Sequence, residues 1–175
     1  MSAGKGKKGT RRRSCALSHL SQDGRARMVD VGAKGATRRS AVAEAWVEVG
    51  AEIAGAIRTA GSVAKGNVLE TARLAGILAA KRTSELIPLC HPIPLDSISV
   101  EAALVGSRVR IVVRAASEGK TGVEMEAMMA ASVAALTVYD MVKSAAKGVA
   151  IGPVRLLEKH GGKSGSWRRK EADRG

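Results

Sequence analysis

Residues 97–115, SISVEAALVGSRVRIVVRA, restrict the fold more than any other stretch of the chain. Ile98, Val100, Ala102 and Leu104 alternate with Ser97, Ser99, Glu101 and Ala103, and Val109, Ile111, Val113 and Ala115 repeat the spacing on the return. Successive side chains of a strand point to opposite faces, so each run presents one apolar face. Gly106 and Ser107 suit a two-residue type II′ turn, which fixes the pairing register. An antiparallel hairpin with one face to bury follows, and the remaining chain must cover that face.

Two helices are available for this. Asn67, followed three residues later by Glu70, predicts an N-cap and its capping-box partner, opening a helix through VLETARLAGILAAKR. That helix is apolar on most sides and therefore packs against more than one neighbour. KTGVEMEAMMAASVAALTVYDMVKSAAKG predicts a long helix with Met128, Ala131, Ala135, Val138 and Val142 in one stripe and Gly148 just beyond its end. A short helix over Glu52–Arg58, strands over Arg27–Gly32 and Ala41–Val49, and a final strand in VAIGPVRLLEK complete the pattern. The order β-β-α-α-β-β-α-β predicts an α+β sandwich, with helices on one face of a mostly antiparallel sheet and a bare face that needs a partner.

The 175 residues, 45% of them apolar, supply one core and not two. We read residues 14–165 as a single domain, 1–13 as a basic disordered tail and 166–175 as a flexible C-terminal tail. The net charge of +13 is concentrated at the ends: residues 1–13 carry +6 and residues 159–175 carry +4, leaving a mildly basic body. With no Phe, one Tyr and two Trp, the body lacks aromatic platforms for stacking bases, which argues against a specific nucleic-acid module. The N-terminus lacks a secretory apolar segment and no uninterrupted apolar run reaches bilayer length, so a soluble, cytoplasmic protein without membrane attachment is expected. Cys15 and Cys90 make no disulfide framework and no C-x-x-C pair.

Several residues could carry chemistry. Asp140 and Lys143 lie one helical turn apart, on a side shared with Val133 and Leu136, and are expected to be incompletely solvated. Glu124 and Glu126 flank Met125 at the start of a helix, where acids also stabilise the terminus electrostatically. Lys65 sits in a Gly-flanked loop two residues before the Asn67 cap, a position that could serve an anion. HGGKSG is not a Walker motif, because Leu157 stands where the leading glycine is needed and no helix follows; its glycines still permit close backbone approach to a phosphate beside Lys163. Cys90 and His91 are adjacent in LIPLCHP, and neighbours in an extended segment point apart, so they do not form a nucleophile and its base. His19, His91 and His160 are too scattered to predict a metal site.

Taken together, MVDVGAK, KGNVLETARLAGILAAKRTSELIPLCHPIPL, GKTGVEMEAMMAASVAALTVYDMVK, IGPVRLLEK and GGKSG resemble molybdenum cofactor biosynthesis protein C, the cyclic pyranopterin monophosphate synthase family, in order from Met28 to Gly165. The resemblance implies a ferredoxin-like α+β subunit in a homohexamer of three dimers, with active sites at dimer interfaces. It implies a lyase that rearranges a 3′,8-cyclised dihydro-GTP, made by a radical S-adenosylmethionine enzyme, into cyclic pyranopterin monophosphate with loss of diphosphate. It further implies Asp140, Lys65 and Lys143 as catalytic residues. Leu89, Cys90, His91, Glu124, Met125, Glu126, Arg39 and Lys163 are implied as substrate contacts, with His91, Arg39 and Lys163 facing phosphate and the two acids accepting hydrogen bonds from a guanine-like edge. No organic cofactor or tightly bound metal is implied. Lysines whose pKa is lowered by burial or neighbouring cations can act as acids or bases in such chemistry, with Asp140 orienting Lys143 or relaying its proton.

Overall fold

The structure, a computed structural model, describes residues 23–60 and 66–170. Its elements are β1 (Thr37–Glu48), α1 (Gly50–Ala60), α2 (Val68–Lys81), α3 (Thr83–Leu86), β2 (Ser97–Val105), β3 (Arg108–Gly119), α4 (Glu124–Val142), β4 (Ala150–Ile151), β5 (Arg155–His160) and β6 (Trp167–Arg168). The predicted hairpin is β2–β3, with Val105 paired to Arg108 across the two-residue turn and Gly106 at φ +61°, as a type II′ turn requires. β1 lies beside β3 in a sheet ordered β2-β3-β1-β5-β6, with β4 paired to β1 and every pairing antiparallel.

Helices α2 and α4 pack on the face bearing Ala43, Ala45, Val47, Val109, Ile111 and Val113, all completely buried. Five alanines of α4, Ala127, Ala130, Ala131, Ala134 and Ala135, are equally buried. Small side chains let the helix approach both the sheet and α2, so Val, Ile and Ala fill the core without Phe. By length and hydropathy alone α4 could cross a bilayer; half of it is buried here as the central helix of the sandwich, which accounts for its apolarity.

Asn67 caps α2 as predicted, its Oδ1 accepting from the Glu70 amide at 3.0 Å. The reciprocal arm of the capping box is absent: the Glu70 carboxylate instead accepts from Arg73, at 2.7 and 2.6 Å. Residues Arg27–Gly32 form no strand, so among the described residues one strand and not two precedes α1. Asp30 Oδ1 accepts from the Gly32 amide at 2.7 Å and Val31 O accepts from the Lys34 amide at 3.0 Å, turning the segment away from the sheet. The final strand is divided into β4 and β5 at Gly152-Pro153, where proline has no N–H for a ladder. The long helix begins at Glu124 and ends at Val142, short of Gly148, and the unforeseen α3 follows α2 directly. Past residue 165, where the sequence reading ends the domain, β6 pairs with β5.

The opposite sheet face has its own charged lattice. Glu44 is only 2% exposed there, accepting from Arg110 Nε (3.0 Å), Arg110 Nη2 (2.8 Å) and Arg155 Nε (2.9 Å). Burial alone would raise its pKa, but these two arginines outweigh it and hold the carboxylate below its usual range. Arg108 and Arg110 also lie over the Trp46 ring, 4.6 and 5.5 Å from its centre.

Candidate active site

After α3 a turn closes at Ile87–Cys90, the Cys90 amide donating to Ile87 O at 3.0 Å; Pro92 and Pro94 restrict φ in the run that follows, and Pro94 O accepts from Ser117 Oγ of β3 at 2.7 Å, tying the run to the sheet. A cleft of about 410 Å³ opens between this run, the turned segment at Val29–Lys34 and the first turn of α4. Leu89, Cys90, His91, Glu124, Met125 and Glu126 all line it. The six residues of LCH and EME therefore meet, although more than thirty residues separate the two motifs.

Glu126 is the cleft's most perturbed acid. It is 3% exposed, and its Oε2 has no hydrogen-bond partner. Burial, reinforced by the neighbouring charge of Glu124, pushes its carboxyl above the ordinary range. A carboxyl whose pKa is raised keeps its proton to higher pH, and in that form Glu126 can donate a hydrogen bond as well as accept one, beyond the acceptor role expected for it. Glu124 differs: its Oε1 accepts from Lys159 Nζ at 2.9 Å. Burial, followed by the charge of Glu126, raises the Cys90 thiol, which keeps it from being a ready thiolate. No hydrogen bond joins Cys90 to His91 among the described residues.

A second cleft, about 600 Å³, adjoins the first through Lys34, which lines both. It brings Arg39 of β1 together with Lys163 and Ser164 of the β5–β6 loop, so three cations surround one space. Arg39 is held by donating Nε to Gly119 O (2.9 Å) and Nη2 to Lys120 O (3.2 Å). Lys34 escaped the sequence reading as a site residue; its only signal was membership of MVDVGAK, since its role depends on the turn that faces it toward Arg39.

Asp140 and Lys143 do not join these clefts. Asp140 lies sixteen positions along α4 from Glu124, about 24 Å along the axis at about 1.5 Å per residue. The two form an ion pair at 2.6 Å with side chains 56% and 53% exposed, more solvated than expected. Hydrogen bonding to Asp140 raises the Lys143 pKa, opposite to the lowered value expected of a proton-transferring lysine. Leu136 and Tyr139 of α4 and Leu74 and Leu78 of α2 are exposed on the helical layer that carries this pair. Lys65 lies outside the described residues. Among the described residues, no three His, Cys, Asp or Glu side chains gather as a metal site would require.

The profile of the MoaC family matches residues 28–162. A cyclic pyranopterin monophosphate synthase of Novosphingobium aromaticivorans is 50% identical over 155 residues, covering 89% of this chain and 98% of that protein. Proteins of the same name from Brucella ovis and Brucella abortus are each 54% identical over 155 residues, covering 86% of this chain and 92% of theirs.

Proposed function

The chain belongs to the MoaC family, and on that premise we propose that it is a cyclic pyranopterin monophosphate synthase, a lyase of molybdenum cofactor biosynthesis. Its substrate is the small molecule (8S)-3′,8-cyclo-7,8-dihydroguanosine 5′-triphosphate. The observation that carries the reading is the pair of adjoining clefts, one lined by acids, Cys90 and His91, the other by Lys34, Arg39 and Lys163. A guanine-derived ring and a triphosphate need such a division.

Forming the cyclic monophosphate requires a substrate hydroxyl to attack the α-phosphorus while the α–β anhydride bond breaks and diphosphate departs. Negative charge accumulates on the leaving oxygens, and fixed cations around them stabilise that charge more than the ground state. Lys34, Arg39 and Lys163 fill this role, with Arg39 already oriented by its two carbonyl partners. Ring opening and pterin closure move protons without net redox change. Burial lets Glu126 keep its proton to higher pH than an ordinary carboxyl inside the first cleft, where the protonated form can donate to a ring nitrogen or carbonyl.

Asp140 and Lys143 act on the same substrate only if another copy of the chain brings them to the clefts. The 24 Å spacing on a rigid helix (at about 1.5 Å per residue) and the exposed leucines beside the pair support an assembly in which each site draws on two chains, in a hexamer of three dimers. A radical S-adenosylmethionine cyclase supplies the substrate, and the reaction takes place in the cytoplasm.

Incubation with that cyclase, S-adenosylmethionine and GTP should yield cyclic pyranopterin monophosphate, and absence of product with a correctly folded protein overturns the assignment. Asp140→Ala and Lys65→Ala should each abolish turnover with the oligomer intact. Inactive Asp140→Ala and Glu126→Ala chains, refolded together, should regain activity because each mixed dimer keeps one site with both residues intact. Mixed oligomers without activity would refute the two-chain site.

A further inference from the structure

We propose that the C-terminal hairpin arm, Ser166 to Arg169, is a latch that positions Lys163 for anion binding; this rests on the assignment of the Lys34–Arg39–Lys163 cleft to the triphosphate. The arm lies beyond the residues that the family profile matches. Lys163 sits in the six-residue loop between β5 and β6, and an exposed lysine in a glycine-rich loop loses considerable conformational freedom when it grips an anion. A loop already held in shape loses less, which is the energetic content of preorganisation.

Both flanks of this loop are held. On the entry side, Gly161 and Gly162 have φ of +96° and +70°. A Cβ at Gly161 would meet Arg38 O, and one at Gly162 would meet Arg39 Nη1, so the bare backbone rests directly on β1 and on the guanidinium of the same cleft. On the exit side, His160 Nδ1 and Ser166 Oγ are hydrogen-bonded at 2.9 Å across the loop, and the Gly165 amide donates to Gly162 O at 3.1 Å. Beyond Ser166 the arm is fastened along β5. Trp167 pairs with Lys159 and Arg168 with Glu158, whose Oε1 also lies 3.0 Å from Arg168 Nε. Arg169 donates its amide to Leu157 O (2.8 Å) and its Nε to Leu156 O (3.0 Å), with its guanidinium over the Trp167 ring.

These contacts fasten every residue of the arm, from Ser166 to Arg169, at the edge of the sheet. None of the four residues belongs to the hydrophobic core, and Ser166, Trp167 and Arg168 are exposed, so the arm's contacts bear on the shape of the loop. Lys159, the β5 residue paired with Trp167, sends its side chain to Glu124 in the first cleft, so the same stretch of β5 borders both halves of the site. Ser166 and Arg169 are thus positioning residues that act through Lys163.

The test compares full-length wild type, Ser166→Ala, Ser166→Thr, Lys163→Ala and the double variant Lys163→Ala/Ser166→Ala, using calorimetric titration with inorganic diphosphate and triphosphate. Ser166→Ala should weaken binding by about 3- to 10-fold, the effect of one net hydrogen bond, and Ser166→Thr should restore it. In the presence of Lys163→Ala, removing Ser166 should have no further effect, because the latch has nothing left to position. With the cyclised substrate, Ser166→Ala should lower kcat/KM with part of the loss in kcat, because Lys163 grips charge that grows in the transition state, and Ser166→Thr should restore both. If Lys163→Ala weakens diphosphate binding but Ser166→Ala does not, the latch is refuted and the cationic cleft stands. If Lys163→Ala itself leaves binding unchanged, the assignment of the cleft fails and takes the latch with it. Equal, additive losses in both backgrounds also refute the latch, since they would mark Ser166 as merely structural.

Discussion

Glu126→Gln should make the protein more stable at neutral pH while impairing turnover. Glu126 is 3% exposed and leaves Oε2 without a partner beside the charged Glu124, so ionising it in the folded state is unfavourable. Its folded pKa lies above the unfolded value, and therefore between the ordinary carboxyl pKa and the raised one the unfolded chain has lost a proton that the folded chain retains. In that window stability falls as pH rises, and above it the full penalty persists. A buried polar group left unsatisfied costs about 1–3 kcal/mol, and glutamine removes the ionisation part of that cost while keeping the shape. Urea unfolding at fixed protein concentration, at pH 4 and pH 8, should show a variant nearly equal to wild type at the acid end and more stable by up to about 2 kcal/mol at the alkaline end, within that same cost range. Turnover should fall because the amide cannot exchange a proton in the Glu126 role. A variant less stable than wild type at pH 8, or a difference that does not change with pH, would refute the account of Glu126 as a strained, proton-retaining acid.

Three further outcomes follow from the geometry. Glu44→Ala leaves Arg155, only 13% exposed, without its carboxylate, and chemical denaturation should show a loss of about 3–5 kcal/mol, the cost typical of breaking a buried ion pair from one side. Gly162→Ala places a methyl group on Arg39 Nη1 at a left-handed backbone position, so diphosphate titration should show weaker binding even where the fold survives by circular dichroism. Cys90→Ser should retain substantial activity in the product assay because the thiol is a lining group whose raised pKa keeps it from attacking, whereas His91→Ala should severely weaken substrate binding or turnover.

Features fixed within a dozen residues could be read directly from the chain. The β2–β3 hairpin follows from strict alternation and a Gly-Ser turn, and the α2 cap from Asn67 supplying an acceptor to the Glu70 amide. The α4 stripe was legible because 3.6-residue periodicity survives any tertiary arrangement, although its ends were not: backbone hydrogen bonding, and no side-chain cap, sets its start at Val123–Glu124. Where a neighbour decides the outcome, local pattern failed. Arg27–Gly32 alternates like a strand yet turns through Asp30 to wall a cleft, and VAIGPVRLLEK reads as one strand yet is interrupted by Pro153.

The candidate site divides along the same line. Motif resemblance named the residues, because residue types at those positions are a property of the chain alone. Their grouping belongs to the tertiary structure: LCH and EME share a cleft only because β3 carries the chain from one to the start of α4, and Lys34 joins Arg39 and Lys163 only through a turn. Protonation is also a tertiary property. The sequence determined that Glu124 and Glu126 flank one methionine; the fold made one the partner of Lys159 and left the other buried with an unsatisfied oxygen, because desolvation and charge pairing depend on what surrounds a group and not on what adjoins it in the chain.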